Sequence, residues 1–211
     1  MKNLLENDFS NIYDNQGKLH AINEMIVTGS FRFCDHYACN SCIPFFSHNC
    51  EHETLRFYSN SSVHCLDIES FFNSFRHLSG DRCDKLLYNN QKCVLMDMYC
   101  GMSEYLEPHQ LEGKIVTGKK EKVRNQIEKT IDRLYSIPSI ATFLNNLPEK
   151  VGLFGYRSKD DTLFASIPKQ ISASMNIFLK MAKMQAHRRL SAPMSHGFRF
   201  MMCSYPQEYR W

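Results

Sequence analysis

The sequence predicts a mainly α fold, and three stretches predict it. Lys119 to Ser136 carries Val123, Ile127, Ile131 and Leu134, an apolar stripe at helical spacing. After Ser166 and Pro168 the pattern returns at Ile171, Met175, Phe178, Met181 and Met184. Asp67 to Phe75 is shorter, amphipathic and rich in Phe.

Taken in order, residues 1–21 are polar and mixed and read as a short mobile arm. Their start has no apolar h-region, so no secretory signal is visible, and no run approaches a membrane span. Cys39-Asn40-Ser41-Cys42-Ile43-Pro44-Phe45-Phe46 reads as a metal-anchored helix start. Two thiolates would clamp it, Pro44 is tolerated in its first turn, and Phe45 and Phe46 would supply its buried face. The Phe stripe of 67–75 reads as core. Gly113 to Gly118 is the expected boundary. The helix beyond it has a basic outer face of Lys119, Lys120, Lys122, Arg124, Lys129 and Arg133. Pro138 ends that helix or begins the next, Ser139–Leu147. Gly152 to Thr162 reads as turn and loop, from Gly152, Gly155 and Asp160-Asp161. Ser166 and Pro168 mark the start of the longer helix. The tail from Ser191 to Trp211 is aromatic and Met-rich and is expected to pack. Three regions result: an arm (1–21), a central region (22–112) and a hinge with a helical carboxy-terminal region (113–211).

Nine cysteines are many for 211 residues. Without a secretory signal, clustered Cys and His read better as a metal site than as disulfides. The second array is His77-x5-Cys83-x9-Cys93, with Cys100 beyond it. Structural zinc wants four tetrahedral ligands, and Cys100 is the best fourth. Met96 is a poor one, because its sulfur is a thioether. Cys34, His36, His48, Cys50 and His52 are possible partners for Cys39 and Cys42 in a rewired site. Cys65 and Cys203 read as small buried hydrophobes.

These motifs together resemble the zinc-finger DNA-binding domain of nuclear hormone receptors, in the divergent nematode form. The likeness covers residues 22–105. Cys39-x2-Cys42 followed by Phe45-Phe46 is similar to the second half of the first finger. Ile22 and Met25 stand where its first two ligands belong. His77, Cys83 and Cys93 fit three positions of the second finger, Met96 stands at the fourth, and Cys100-Gly101-Met102 is similar to the closing Cys and Gly-Met. The resemblance implies a small irregular finger domain followed by a short helical region. It implies one or two zinc ions held by Cys39, Cys42, His77, Cys83, Cys93 and Cys100. It also implies base-edge contacts from Asn40, Ser41 and Ile43, and phosphate contacts from Lys119, Lys120, Lys122 and Arg124. The implied role is a nuclear transcription regulator that binds DNA, pairs with another receptor-like protein, and has too few residues for a ligand pocket.

Charge points to an alternative. Residues 21–100 carry six basic and nine acidic side chains, and 101–211 carry seventeen and ten. A DNA-binding finger gains affinity by neutralising phosphates, and this one is acidic. Ser47-His48 follow Phe45-Phe46 where the receptors have two arginines. The alternative is a protein-interaction module on the same scaffold that has lost DNA and ligand binding. No GxSxG, P-loop or GxGxxG marks an enzyme, and none is expected.

Overall fold

Apolar residues at a spacing of two, rather than the helical stripes, organise the centre of the chain. The computed structural model describes residues 1–14, 16–34, 42–43, 46–47, 53–78, 80–158 and 192–211. It is a mixed α/β structure on a large sheet, which corrects the mainly α expectation and, with it, the finger domain. Strands β1 (Glu24–Cys34), β4 (Glu53–Leu66), β5 (Lys85–Tyr88), β6 (Lys92–Gly101), β9 (Glu149–Ser158), β11 (Arg199–Ser204) and β10 (Ala192–Pro193) lie side by side in that order. β12 (Glu208–Arg210) joins the sheet in parallel with β4. Two small hairpins stand apart: β2 (Cys42–Ile43) with β3 (Phe46–Ser47), and β7 (His109–Leu111) with β8 (Lys114–Val116).

Within the run β1, β4, β5, β6 each strand is antiparallel to the next. β6 and β9 are parallel from Lys92↔Glu149 to Gly101↔Ser158, and β9 is parallel to β11. A parallel neighbour demands a crossover. Helices α3 (Lys119–Tyr135) and α4 (Pro138–Asn145) lie on the connection from β6 to β9.

The two faces of the sheet close differently. On one face, Leu86, Tyr88, Cys93, Leu95 and Phe154 meet Val123, Ile127, Ile131 and Leu134 of α3 and Ile140 and Leu144 of α4. Helix α2 (Ile68–Asn73) adds Phe71 and Phe72, and Asp67 caps it by accepting the Ser70 N–H. The amino-terminal segment is helical too, a π-helical stretch Leu4–Phe9 running into α1 (Ser10–Tyr13). Its Phe9 ring lies 5.1 Å from Phe72 and 5.5 Å from Phe75. The helical part of the expected arm is therefore docked against α2.

The other face closes on itself. Phe31 and Phe33 of β1 and Leu55 and Phe57 of β4 pack with Val94, Met96, Val151 and Leu153 from the middle of the sheet. Tyr209 of β12 completes this core, its ring 5.2 Å from Phe57. Burying each Phe is worth roughly 1.5–3 kcal/mol. Gly155 lets β4 come this close: a Cβ there would sit 2.7 Å from Leu55 Cδ2. Gly152 serves the opposite face, where a Cβ would meet Met194 at 2.7 Å. The two glycines thus belong to a central strand, β9, and not to the expected loop.

Other expectations are corrected for the same reason. Phe46 lies in a strand that pairs with Ile43, not in a helix. Cys39, Asn40, Ser41, Pro44 and Phe45 lie outside the described residues, as does the helix expected over 166–184. At the expected boundary, Glu112 and Gly113 form the turn between β7 and β8, and one sheet draws strands from both sides of it. Helices at 67–75, 119–136 and 139–147 were expected and are present with small shifts of their ends.

Asp14 ties the loop that follows α1. Its Oδ1 accepts the N–H groups of Gln16 (2.8 Å) and Lys18 (3.2 Å), and its Oδ2 accepts from His20 Nε2 at 2.6 Å. The His20 hydrogen bond, then the two backbone ones, hold its carboxyl at about 2. This folded-state value is depressed, so the stabilisation is present above about pH 4, the unfolded-chain range, and is lost as pH falls through about 2. Thermal melts of wild type and Asp14→Asn should therefore converge as pH is lowered through that window. A gap that stays constant would refute the role.

The Leu55–Gly155 contact is open to a double-mutant cycle. Leu55→Ala alone should cost about 2–5 kcal/mol and Gly155→Ala about 1–3 kcal/mol. The pair should cost less than the sum by at least about 0.5 kcal/mol, because the shortened side chain vacates the space that the new methyl fills. Urea unfolding of the four proteins reads the coupling, and strict additivity would rule the contact out.

Candidate interaction surface

The strands scatter the expected zinc ligands. Cys93 and Cys100 both lie on β6, seven residues apart, which is about 23 Å in an extended strand. Being an odd number apart, they also point to opposite faces. Cys93 is buried under the helices. Cys83 is fully buried there as well, its N–H donated to Thr130 Oγ1 at 3.0 Å. His77 is exposed beyond α2, its ring 6.2 Å from Tyr13. Cys42 falls in β2, and Cys39 lies outside the described residues. Among the described residues, no three His, Cys, Asp or Glu side chains are grouped as metal ligands.

Burial also decides the thiol chemistry. Desolvation pushes Cys65, Cys93 and Cys203 up to about 12 and raises Cys83 well above its usual value. With no metal beside them, these thiols stay protonated at neutral pH. Asp84 and Asp97 add to the effect at Cys83, which places two carboxylates near that thiol. Sequence reasoning passed over both. Asp84 Oδ2 accepts the Met98 N–H at 2.9 Å, so it holds β5 to β6, and Asp97 is buried. Beside them Lys85 pairs with Asp67 at 3.0 Å.

The basic face of α3 is largely engaged within the chain. Lys120 pairs with Glu107 at 2.9 Å, and Arg124 donates to the Pro193 carbonyl at 3.1 Å. Lys129 pairs with Asp81, whose carbonyl also accepts from Arg133. The Lys119 ammonium lies 5.6 Å from the centre of the Tyr99 ring. Lys122 is exposed and has no acidic partner among the described residues. Of the base-reading set, Asn40 and Ser41 lie outside the described residues and Ile43 is in a strand.

What the chain does present is the hairpin β7–β8. Leu111↔Lys114 is its last pair, so a two-residue turn closes it, with Glu112 at φ 49° and Gly113 at φ 78°. Two positive φ values are what a tight hairpin turn of this hand requires. At its root Gly118 crosses the chain so closely that a Cβ would lie 2.5 Å from the Leu106 carbonyl oxygen. The Lys120 N–H donates to that same oxygen at 3.1 Å. From this fixed root the hairpin carries Ile115, 84% exposed, and Leu111, 55% exposed, with Tyr105 at its base. Among the described residues neither edge of the hairpin pairs with another strand. Unpaired edges with apolar side chains are what strand addition uses.

No protein-family model matches the chain, and neither a curated protein nor a solved structure shows significant similarity to it. No helix among the described residues is long and apolar enough to cross a membrane.

Thiol labelling tests the placement of the cysteines. In the native protein at pH 8, Cys65, Cys83, Cys93 and Cys203 should resist alkylation, read peptide by peptide, and should react once the chain is unfolded. A chelator should leave that protection unchanged. Release of Cys83 and Cys93 by chelator would mean that a metal, and not burial, shields them.

Proposed function

We propose that the chain is a protein-interaction module that takes its partner by strand addition to the hairpin β7–β8, and that the partner is a second copy of the chain. The observation that carries this reading is Ile115, almost wholly exposed on a strand with an open edge. A two-stranded hairpin is marginal on its own in water. Antiparallel pairing of two β8 strands about Ile115 makes four strands from two hairpins. It sets the two Ile115 side chains opposite each other, a cross-strand contact worth about 0.2–1 kcal/mol beyond what Ala would give. The paired strands have only three residues each, so the contact lies at the small, reversible end of protein interfaces. The DNA-binding reading has lost the finger scaffold it rested on, and most of the α3 cations answer to partners in their own chain.

Sedimentation from micromolar to millimolar protein tests the proposal. Wild type should pass from monomer to dimer. Ile115→Lys should remain monomeric at every concentration with its melting temperature unchanged. Ile26→Lys, at another exposed isoleucine (58%) on β1, should dimerise like wild type. A wild-type chain that is monomeric throughout, or an Ile115→Lys chain that dimerises normally, overturns the reading.

A further inference from the structure

A cleft of about 240 Å³ opens between the loop Asp14–His20 and the end of α2, away from the hairpin. Its walls include Tyr13, Lys18, His20, Phe75, Arg76 and His77. The carboxylate beside them, Asp14, is committed to its own loop through three hydrogen bonds. The carbonyls at the end of α2 are also taken. Phe71 O accepts the N–H and hydroxyl of Ser74, Phe72 O accepts the Phe75 N–H, and Phe75 O accepts the Leu78 N–H. Lys18 and Arg76 have no acidic partner among the described residues. The cleft therefore carries two cations, Lys18 and Arg76, against the one carboxylate of Asp14, and Gln16 and Ser74 add polar groups to its walls. Its floor is aromatic: His20 lies 4.2 Å from Phe75, and His77 lies 6.2 Å from Tyr13.

We infer that this cleft binds a small phosphate-type oxyanion. Arg76 offers a planar fork of N–H groups with His77 beside it, and Lys18 and His20 face them from the loop, an arrangement that suits an anion with several oxygens in three dimensions. The volume lies below the usual range for drug-sized ligands, so the occupant is an anionic group with a small body at most.

Calorimetric titration of the full chain with sodium sulfate, sodium phosphate and phenyl phosphate tests this. Ionic strength is held fixed and EDTA is present. Saturable one-site binding is expected, weakened at least about tenfold, the loss of one charge-assisted contact, by Arg76→Gln. Arg76→Lys should recover part of the loss. Phenyl phosphate binding tighter than phosphate would identify a monoester stacked on the aromatic floor, and equal affinity would identify free phosphate. Arg210→Gln, on β12, should bind as wild type does. No saturable binding, or an Arg76→Gln chain that binds like wild type, overturns the inference.

Discussion

The structure depends on β6 being sealed from both sides. Cys93, Val94, Leu95 and Met96 are all fully buried, with alternate residues serving opposite cores. Such a strand has to be paired along both edges, because no water reaches its N–H and C=O groups. β5 pairs one edge and β9 the other. The parallel pairing with β9 demands a long connection, and α3 and α4 are packed into it. The helices thus follow from the strand, although they are what the sequence advertises most clearly.

The two covers of β6 differ in kind. The helix side is made of modular stripes, each legible in its own stretch of chain. The other side is made by the sheet bending back until Leu55 rests against Gly155. That contact joins residues a hundred positions apart and leaves no periodic trace in either neighbourhood. Its one local sign is the missing side chain at 155, which by itself reads equally well as a turn.

Legibility followed this division. α2, α3 and α4 were readable because a helix writes its buried face at a spacing of three and four. The strands were written too: Phe31 and Phe33 alternate, as do Leu55 and Phe57, and Val63 and Cys65. Metal-ligand spacing drew attention to the cysteines of the same segments and hid that pattern. A count of residues between cysteines is silent about whether the chain between them is coiled or extended, and in β6 extension carries Cys93 and Cys100 to different ends and faces. Buried Asp97 was missed because it lies in an apolar run that drew attention only for its Cys and Met, and half-buried Asp84 because it stands in a charged run noted only for Cys83. The surface sites were least legible. Ile115 looks like any apolar residue near a Gly, and the grouping of Lys18 with Arg76 exists only in three dimensions.

β12 carries a consequence for how the chain is made. It lies beside β4, so Tyr209 is synthesised long after Phe31 and yet completes the core begun there. On a ribosome the helix-covered half can begin to form early, while the bent half waits with Phe31, Phe33 and Phe57 uncovered. Pairings this distant in sequence are slow to close. The interval between the synthesis of β4 and the arrival of β12 is therefore the stretch of this protein's life in which its aromatic surface is most open to chaperones and to aggregation.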